Sequence, residues 1–244
     1  MKALDLFSCI GGHSIGLAAA GIETIALCEK DEWRREILAL RFPGIAIYDD
    51  VESTPALSAD IYVGGPPCQG TSVAAAIHGT RDGRTLWPGM LRLVSEGSPT
   101  WVVVEQPPGN EEWENQVQGS LEALGYRVSW HNVEASSFGL LCRRRRRYAI
   151  ACRDEARLAL AGRSLASEIE QAERAASQRN ARRVSVPGDL RVGHGVPAGV
   201  VGITAETSER VRRIKAIGDS NPPVMMEAVG RAIVAASLSS QEGK

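Results

Sequence analysis

The sequence predicts a doubly wound α/β fold built on a mostly parallel sheet. Through the first 152 residues, short β-rich runs alternate with helical patterns, as a parallel sheet wrapped by helices requires. Five consecutive runs end in glycines, acids or a thiol, and ligands of such sheets lie at the carboxyl ends of the strands. A length of 244 residues suits one compact unit with a modest addition.

Predicted strands cover Ala3–Phe7, Thr24–Cys28, Ile45–Tyr48, Ile61–Val63, Trp101–Val104, Tyr126–Trp130 and Tyr148–Cys152, and predicted helices cover His13–Ala20, Glu32–Arg41, Leu86–Ser95 and Glu112–Leu124. From Asp154 to Arg183 an Ala-rich, charged stretch reads as a solvated helix or helical pair. Val184–Thr204, rich in Gly, Val and Pro, reads as loops or short strands. Ser208–Ile217 is predicted helical, Gly218 to Pro223 a turn, and Val224–Leu238 an apolar helix.

Hydrophobic residues at 43% and charged residues at 23% fit a globular protein and exclude disordered or collagen-like classes. No run approaches the roughly 20 apolar residues of a membrane span, and Asp5 interrupts any apolar leader, so a cytoplasmic location and no membrane partner are expected. Five scattered cysteines without a C-x-x-C pair predict free thiols and no metal. The net charge of −1 hides a split: residues 1–141 carry 9 Lys/Arg and 18 Asp/Glu, residues 142–244 carry 19 and 11. The second half is therefore suited to a polyanion.

The strand ends carry the chemistry. The first leads into Phe7-Ser8-Cys9-Ile10-Gly11-Gly12, a glycine turn that lets a cofactor approach the backbone, and the second ends at Glu29, placed to accept from ribose hydroxyls. The turn has no G-x-G-x-x-G, which favours an adenosine cofactor without a pyrophosphate. The third leads into Asp49-Asp50 and the fifth into Glu105-Gln106-Pro107. The fourth leads into Gly64-Gly65-Pro66-Pro67-Cys68-Gln69-Gly70, where two prolines stiffen the loop and hold the Cys68 thiol at a strand end as a nucleophile.

These segments together resemble the cytosine-carbon-5 DNA methyltransferase family. Asp5 to Gly12 resembles its first motif, Pro66-Pro67-Cys68-Gln69 its nucleophile motif, Glu105 its catalytic acid, Arg143–Arg147 its arginine motif with Arg144 and Arg146 at the two arginine positions, and Gly218 to Pro223 its last motif. The resemblance runs in family order from residue 3 to about 235, leaving 154–207 uncovered. It implies a Rossmann-like methyltransferase fold using S-adenosylmethionine and acting on a cytosine flipped out of double-stranded DNA. Cys68, Glu105, Arg144 and Arg146 are then catalytic. Phe7, Gly11, Gly12, Glu29, Lys30, Asp50, Leu86 and Ser220 hold the cofactor, and Pro67, Gln69 and Ser72 meet the substrate. Cys68 would add to carbon 6, and Glu105 would share a proton with ring nitrogen 3 if its surroundings favour the acid form. The other arginines of the run are expected to be free to meet phosphates.

Several positions depart from the family pattern: Cys9 for glycine, Lys30 for an apolar residue, Gln106-Pro107 for Asn-Val, Cys142 for glutamine and Asp219 for asparagine. Lys30 raises the prospect of a carboxylated donor, carboxy-S-adenosylmethionine, with transfer of a carboxymethyl group. The same residues would also suit a methyltransferase acting on transfer RNA, or a catalytically silent nucleic-acid-binding homologue. The expected organisation is a catalytic domain over 1–152, a reduced, DNA-contacting target-recognition insertion over 153–207, and a completing segment over 208–244, acting as a monomer or weak dimer and resembling small phage-type members. Arg174, Arg179, Arg182 and Arg183 are the expected phosphate contacts of the insertion.

Overall fold

The structure is a computed structural model that describes residues 1–67, 86–142, 144–181 and 207–239. Seven strands, β1 (Lys2–Leu6), β2 (Glu23–Cys28), β3 (Ala46–Tyr48), β4 (Ile61–Gly64), β5 (Trp101–Gln106), β6 (Arg127–Glu134) and β7 (Arg145–Cys152), form one sheet. Its order is β3-β2-β1-β4-β5-β7-β6. The pairs among β1 to β5 are parallel, whereas β7 runs antiparallel to both β5 and β6. Strand order reverses direction between β1 and β4, so the crevice outside their carboxyl ends is the place for a ligand.

The helices are α1 (Gly12–Ala19), α2 (Glu32–Arg41), α3 (Trp87–Gly97), α4 (Glu111–Ala123), α5 (Glu155–Ala181), α6 (Thr207–Asp219) and α7 (Pro223–Leu238). Because side chains alternate across a strand, the central strands feed two cores. Ala3, Ile61, Val63, Trp101, Val103 and Ile150 pack with Leu17, Leu158, Leu165, Met226 and Ile233 from α1, α5 and α7. On the opposite face Leu4, Leu6, Tyr62, Val102, Val104 and Ala149 pack with Trp87, Met90, Leu93, Val117 and Leu121 from α3 and α4. Asp31 and Asn110 cap α2 and α4 by accepting from the backbone amides of Arg34 and Trp113.

All seven predicted strands are present, with three differences that bear on the site. β5 runs on to Gln106, so Glu105 lies within the strand and is held by β7 through its pairing with Tyr148. The Asp154–Arg183 stretch forms a single helix over its described part, and it is not solvated all round: Leu158, Ala161 and Leu165 are buried against the sheet and α7. The first half of the segment assigned to a DNA-contacting insertion is thus also a layer of the catalytic core. Gly218 and Asp219 belong to α6, so the predicted turn begins only at Ser220.

The last helix docks on the first through missing side chains. A Cβ on Gly12 would stand 2.0 Å from the Asn221 carbonyl oxygen and 2.5 Å from Ser220 Oγ. Backbone cannot yield as a flexible side chain can, so Gly12→Ala is expected to cost about 1–3 kcal/mol. Urea unfolding that gives the variant wild-type stability would refute this packing.

Candidate active site

A cleft of about 600 Å³ opens at the carboxyl ends of β1, β2, β4 and β5. On the β1–β3 side its wall includes Phe7, Glu29, Lys30, Asp50 and Val51; on the β4–β5 side it includes Gly65, Pro67, Glu105 and Gln106, and Leu86, Arg146 and Asp219 close it. The turn leaving β1 is tight: Phe7 and Cys9 have φ of +57° and +52°, a left-handed region that favours glycine. Glu29 stabilises this turn. Its carboxylate accepts from the backbone amides of Cys9 at 2.8 Å and Asp31 at 2.9 Å, and burial raises its proton affinity against those bonds and Arg34.

Gly11 and Gly12 build the turn and are not among the residues lining the cleft. Gly11 has φ +88° and a Cβ there would strike the Phe42 ring at 2.4 Å, while Gly12 faces Ser220 and Asn221. Ser220 likewise lies behind the wall, its Oγ against Gly12. Asp50 accepts from the Glu52 amide and lies 3.4 Å from Lys30 Nζ; that hydrogen bond to the Glu52 amide, ahead of Lys30, lowers its pKa. Lys30 is 75% exposed, so its ammonium sits at the solvent rim paired to Asp50. Asp219 pairs with Arg34 at 2.5 Å, which accounts for an acid at a position where the family pattern has an amide.

The catalytic side shows how β5 and β7 cooperate. Glu105 opposes Tyr148 in the antiparallel register, which makes Arg146 its diagonal neighbour on the same face. Arg146 Nε lies 2.5 Å from Glu105 Oε1, with both side chains largely buried. Behind it, a Cβ on Gly65 would stand 2.9 Å from Glu105 Oε2. Glycine at this point lets the acid lie against the backbone that leads to Pro66 and Pro67. Cys68, Gln69 and Ser72 lie outside the described residues.

The two motif arginines do different work. Arg144 donates to the carbonyl oxygens of Ile217 at 3.0 Å and Ser220 at 2.5 Å, so it ties the end of α6 to the start of β7. Burial, then the Arg146 charge, lowers its pKa. The neighbouring arginines are also less free than expected. Arg147 pairs with Glu114 at 2.5 Å and lies over the Trp130 ring, whereas Arg145 is exposed, 3.5 Å from Glu134. Of the insertion arginines, Arg174 is exposed beside Glu170; Arg182 and Arg183 lie outside the described residues and the Arg179 side chain is not described.

Sequence reading missed three site residues. Arg34 lines the cleft from the first turn of α2, where it resembles an ordinary surface cation. Gln106 is 4% exposed, and its Nε2 has no hydrogen-bond partner among the described residues. His13 is buried against Asp5, and the only signal for it was a polar residue in the first turn of a helix that must pack inward. Among the described residues no cluster of His, Cys, Asp or Glu could hold a metal ion, and no helix is long and apolar enough to cross a membrane.

The sheet order, the single reversed strand and a cleft at the switch point define an α/β methyltransferase of the Rossmann-like class. The family model for C-5 cytosine-specific DNA methylase matches residues 1–216, and the chain belongs to that family. It is 33% identical over 157 residues to the Type II methyltransferase M2.BsuMI of Bacillus subtilis, covering 60% of this chain and 40% of that protein. With M.AquIA of Picosynechococcus sp. it shares 31% over 167 residues, covering 57% and 66%. The chain thus spans roughly half the length of the curated relatives it matches, from 36% of M.HgiBI to 66% of M.AquIA. Among solved structures it is similar to a protein described as a DNA modification methyltransferase encoded within an E. coli prophage, with a TM-score of 0.53 and 27% identity over 62% of this chain and 46% of that one. The fold of S. pombe Dnmt2 matches over 99% of this chain and 97% of that one, with a TM-score of 0.56 at 13% identity.

Burial has a measurable consequence for the two cleft thiols. It pushes Cys9 up to about 12 and Cys28 up to about 11, so neither forms thiolate near neutral pH. Iodoacetamide at pH 8 should therefore leave both unmodified in the folded protein and label them in urea, as read by peptide mass mapping. Labelling of folded Cys9 at the rate of a free thiol would contradict its burial. Both thiols keep their protons when folded, so their contribution to stability is complete below the ordinary value and declines as pH rises above it.

Proposed function

We propose that the chain transfers a methyl group from S-adenosylmethionine to carbon 5 of a cytosine turned out of double-stranded DNA, through a covalent bond from Cys68 to carbon 6. The observation that carries this reading is the Glu105–Arg146 pair set against Gly65, two residues before Pro67 and directly on the path to Cys68. An acid and a guanidinium at the foot of a stiff thiol-bearing loop are the groups that addition to a pyrimidine needs.

The described cleft suits the donor. Glu29 and Asp50 offer carboxylates at the ends of β2 and β3, while Phe7, Val51 and Leu86 offer apolar contact for an adenine ring. S-adenosylmethionine, when bound, supplies an electrophilic methyl group on its sulfonium. Pairing of Lys30 with Asp50 at the rim supports the plain donor over a carboxylated one.

Carbon 5 of cytosine is a weak nucleophile, so the Cys68 thiolate adds to carbon 6 and makes carbon 5 electron-rich. Glu105 gives a proton to ring nitrogen 3, and Arg146, paired with Glu105 and donating Nη1 to the Arg145 carbonyl oxygen, offers Nη2 to the ring carbonyl oxygen. After carbon 5 is methylated, its hydrogen passes as a proton to water, the carbon 5–carbon 6 double bond re-forms with release of the Cys68 thiolate, and ring nitrogen 3 returns its proton to Glu105. Arg144 acts at one remove, holding α6 and the Ser220 turn against this wall. None of this can occur in a stacked duplex, so the base must be flipped out.

Cys68→Ala should bring methyl transfer below about 1% of wild type while cofactor binding persists, and DNA carrying 5-fluorocytosine should become covalently attached to the wild type alone. Nucleoside mass spectrometry of DNA and RNA incubated with protein and donor reads the product; 5-methylcytidine in RNA only, or no product, overturns the reading. The segment 153–207 offers only about 50 residues for target recognition, and α5 already commits half of it to the core. Contacts should then be mostly cationic, giving a target of about two to four base pairs and binding that weakens steeply with salt. Bisulfite sequencing showing methylation confined to one six-base site would refute that specificity.

A further inference from the structure

The buried pair of Asp5 and His13 has no part in the roles assigned above. His13 is 4% exposed in the first turn of α1, and its Nδ1 lies 3.1 Å from Asp5 Oδ1, while Asp5 Oδ2 accepts from Ser14 Oγ at 2.6 Å. His13 Nε2 is buried and has no hydrogen-bond partner among the described residues. The ring lies behind the same glycine as the acid of the site. The point where a Cβ on Gly65 would stand is 4.0 Å from His13 Cε1 and 2.9 Å from Glu105 Oε2. Imidazole and carboxylate therefore flank Gly65 together, away from water.

Charge in this interior alternates. Asp5 on β1 and Glu105 on β5 are the acids facing His13, and Arg146 on β7 pairs with Glu105 from the cleft side. Tyr148, also on β7, donates to Asn221 at 2.8 Å. On the other elements packed against α1, Glu23 of β2 is exposed and Glu227 of α7 is paired with Arg231. Burial is the largest influence on His13 and drives it toward the neutral form, but the charge of Asp5, its hydrogen bond, and the charge of Glu105 outweigh it, so the imidazole holds its proton above the ordinary value. Two buried anions then face two buried cations, an arrangement that lowers the cost of keeping each charged out of water.

We propose that His13 is a positioning residue for methyl transfer: held as an imidazolium by Asp5, it stands behind Glu105 and sets how readily that carboxylate takes up a proton during the reaction. This rests on the reading of Glu105 given under the proposed function. A cation behind the carboxylate opposes its protonation, and Arg146 opposes it from the front. Replacing His13 by a neutral side chain removes one of the two, which favours the protonated acid that the proposed reaction uses.

Three measurements separate this idea from the reading beneath it. The protein has four histidines, so the His13 ring signals can be followed against pH by NMR after assignment with His13→Gln. His13 should titrate above free histidine, and Glu105→Gln should lower its midpoint, because coupling between two sites is reciprocal. Because Glu105 is read as giving its proton to the base, the alkaline limb of the kcat–pH profile should move to higher pH by about one unit in His13→Gln. Its stabilising contribution, judged by urea unfolding against His13→Gln, should be full below the ordinary value of about 6.5 and vanish as pH rises through the raised one. A His13 midpoint that ignores Glu105→Gln overturns the proposal, as does an unmoved alkaline limb. Should the chain transfer no methyl group, the reading of Glu105 falls while the NMR titration still decides the coupling. Should His13→Gln fail to fold, the wild-type and Glu105→Gln titrations decide alone.

Discussion

The antiparallel register of β7 beside β5 is the constraint on which the site depends. Glu105 opposes Tyr148, and side chains two residues apart share a face, so Arg146 meets Glu105 diagonally. A slip of one residue would carry Arg146 to the opposite face of the sheet and set Arg147 or Ala149 against Glu105. The register is pinned along its length by the buried runs Trp101 to Val104 and Tyr148 to Cys152, which fill both cores. Packing far from the cleft therefore sets the chemistry at its wall.

The interior polar groups follow from the same geometry. A charged side chain removed from water costs several kcal/mol unless another charge compensates it, and here Asp5, His13, Glu105 and Arg146 are arranged so that opposite charges are adjacent. Gly65 makes that adjacency possible, since any Cβ would drive Glu105 off the loop that leads to Cys68. Arg144 spends its charge differently, on two backbone carbonyls at the end of α6, where a cation also suits the negative end of a helix.

Much of the fold was legible because buried parallel strands write themselves as short apolar runs, and Ala3–Phe7, Ile61–Val63 and Trp101–Val104 are of that kind. Strand-end residues such as Glu29, Asp50 and Glu105 were legible for the same reason: topology alone sends them to one crevice. Arg144 and Arg146 stand two apart in sequence and looked equivalent, yet only the second falls beside an acid, which is a fact about β5 that β7 does not contain. The stretch 155–181 looked solvated because its inner face is made of alanines and spaced leucines, a weak stripe that a long charged helix conceals. His13 was hidden by its position just after a glycine turn, where attention goes to the backbone.

The seam between Gly12 and the Ser220–Asn221 turn joins the first helix of the chain to the last. A ribosome makes these two halves far apart in time. Until α7 emerges, the face of α1, Trp101 and Ile150 that it covers stays open to water, and Arg144 lacks the carbonyls of Ile217 and Ser220. The β-sheet can form earlier, but Gly218 and Asp219, which line its cleft, join it only once α6 has been made. The cleft therefore cannot be whole before the segment that Gly12 receives, Ser220 and Asn221, has followed α6 out of the ribosome.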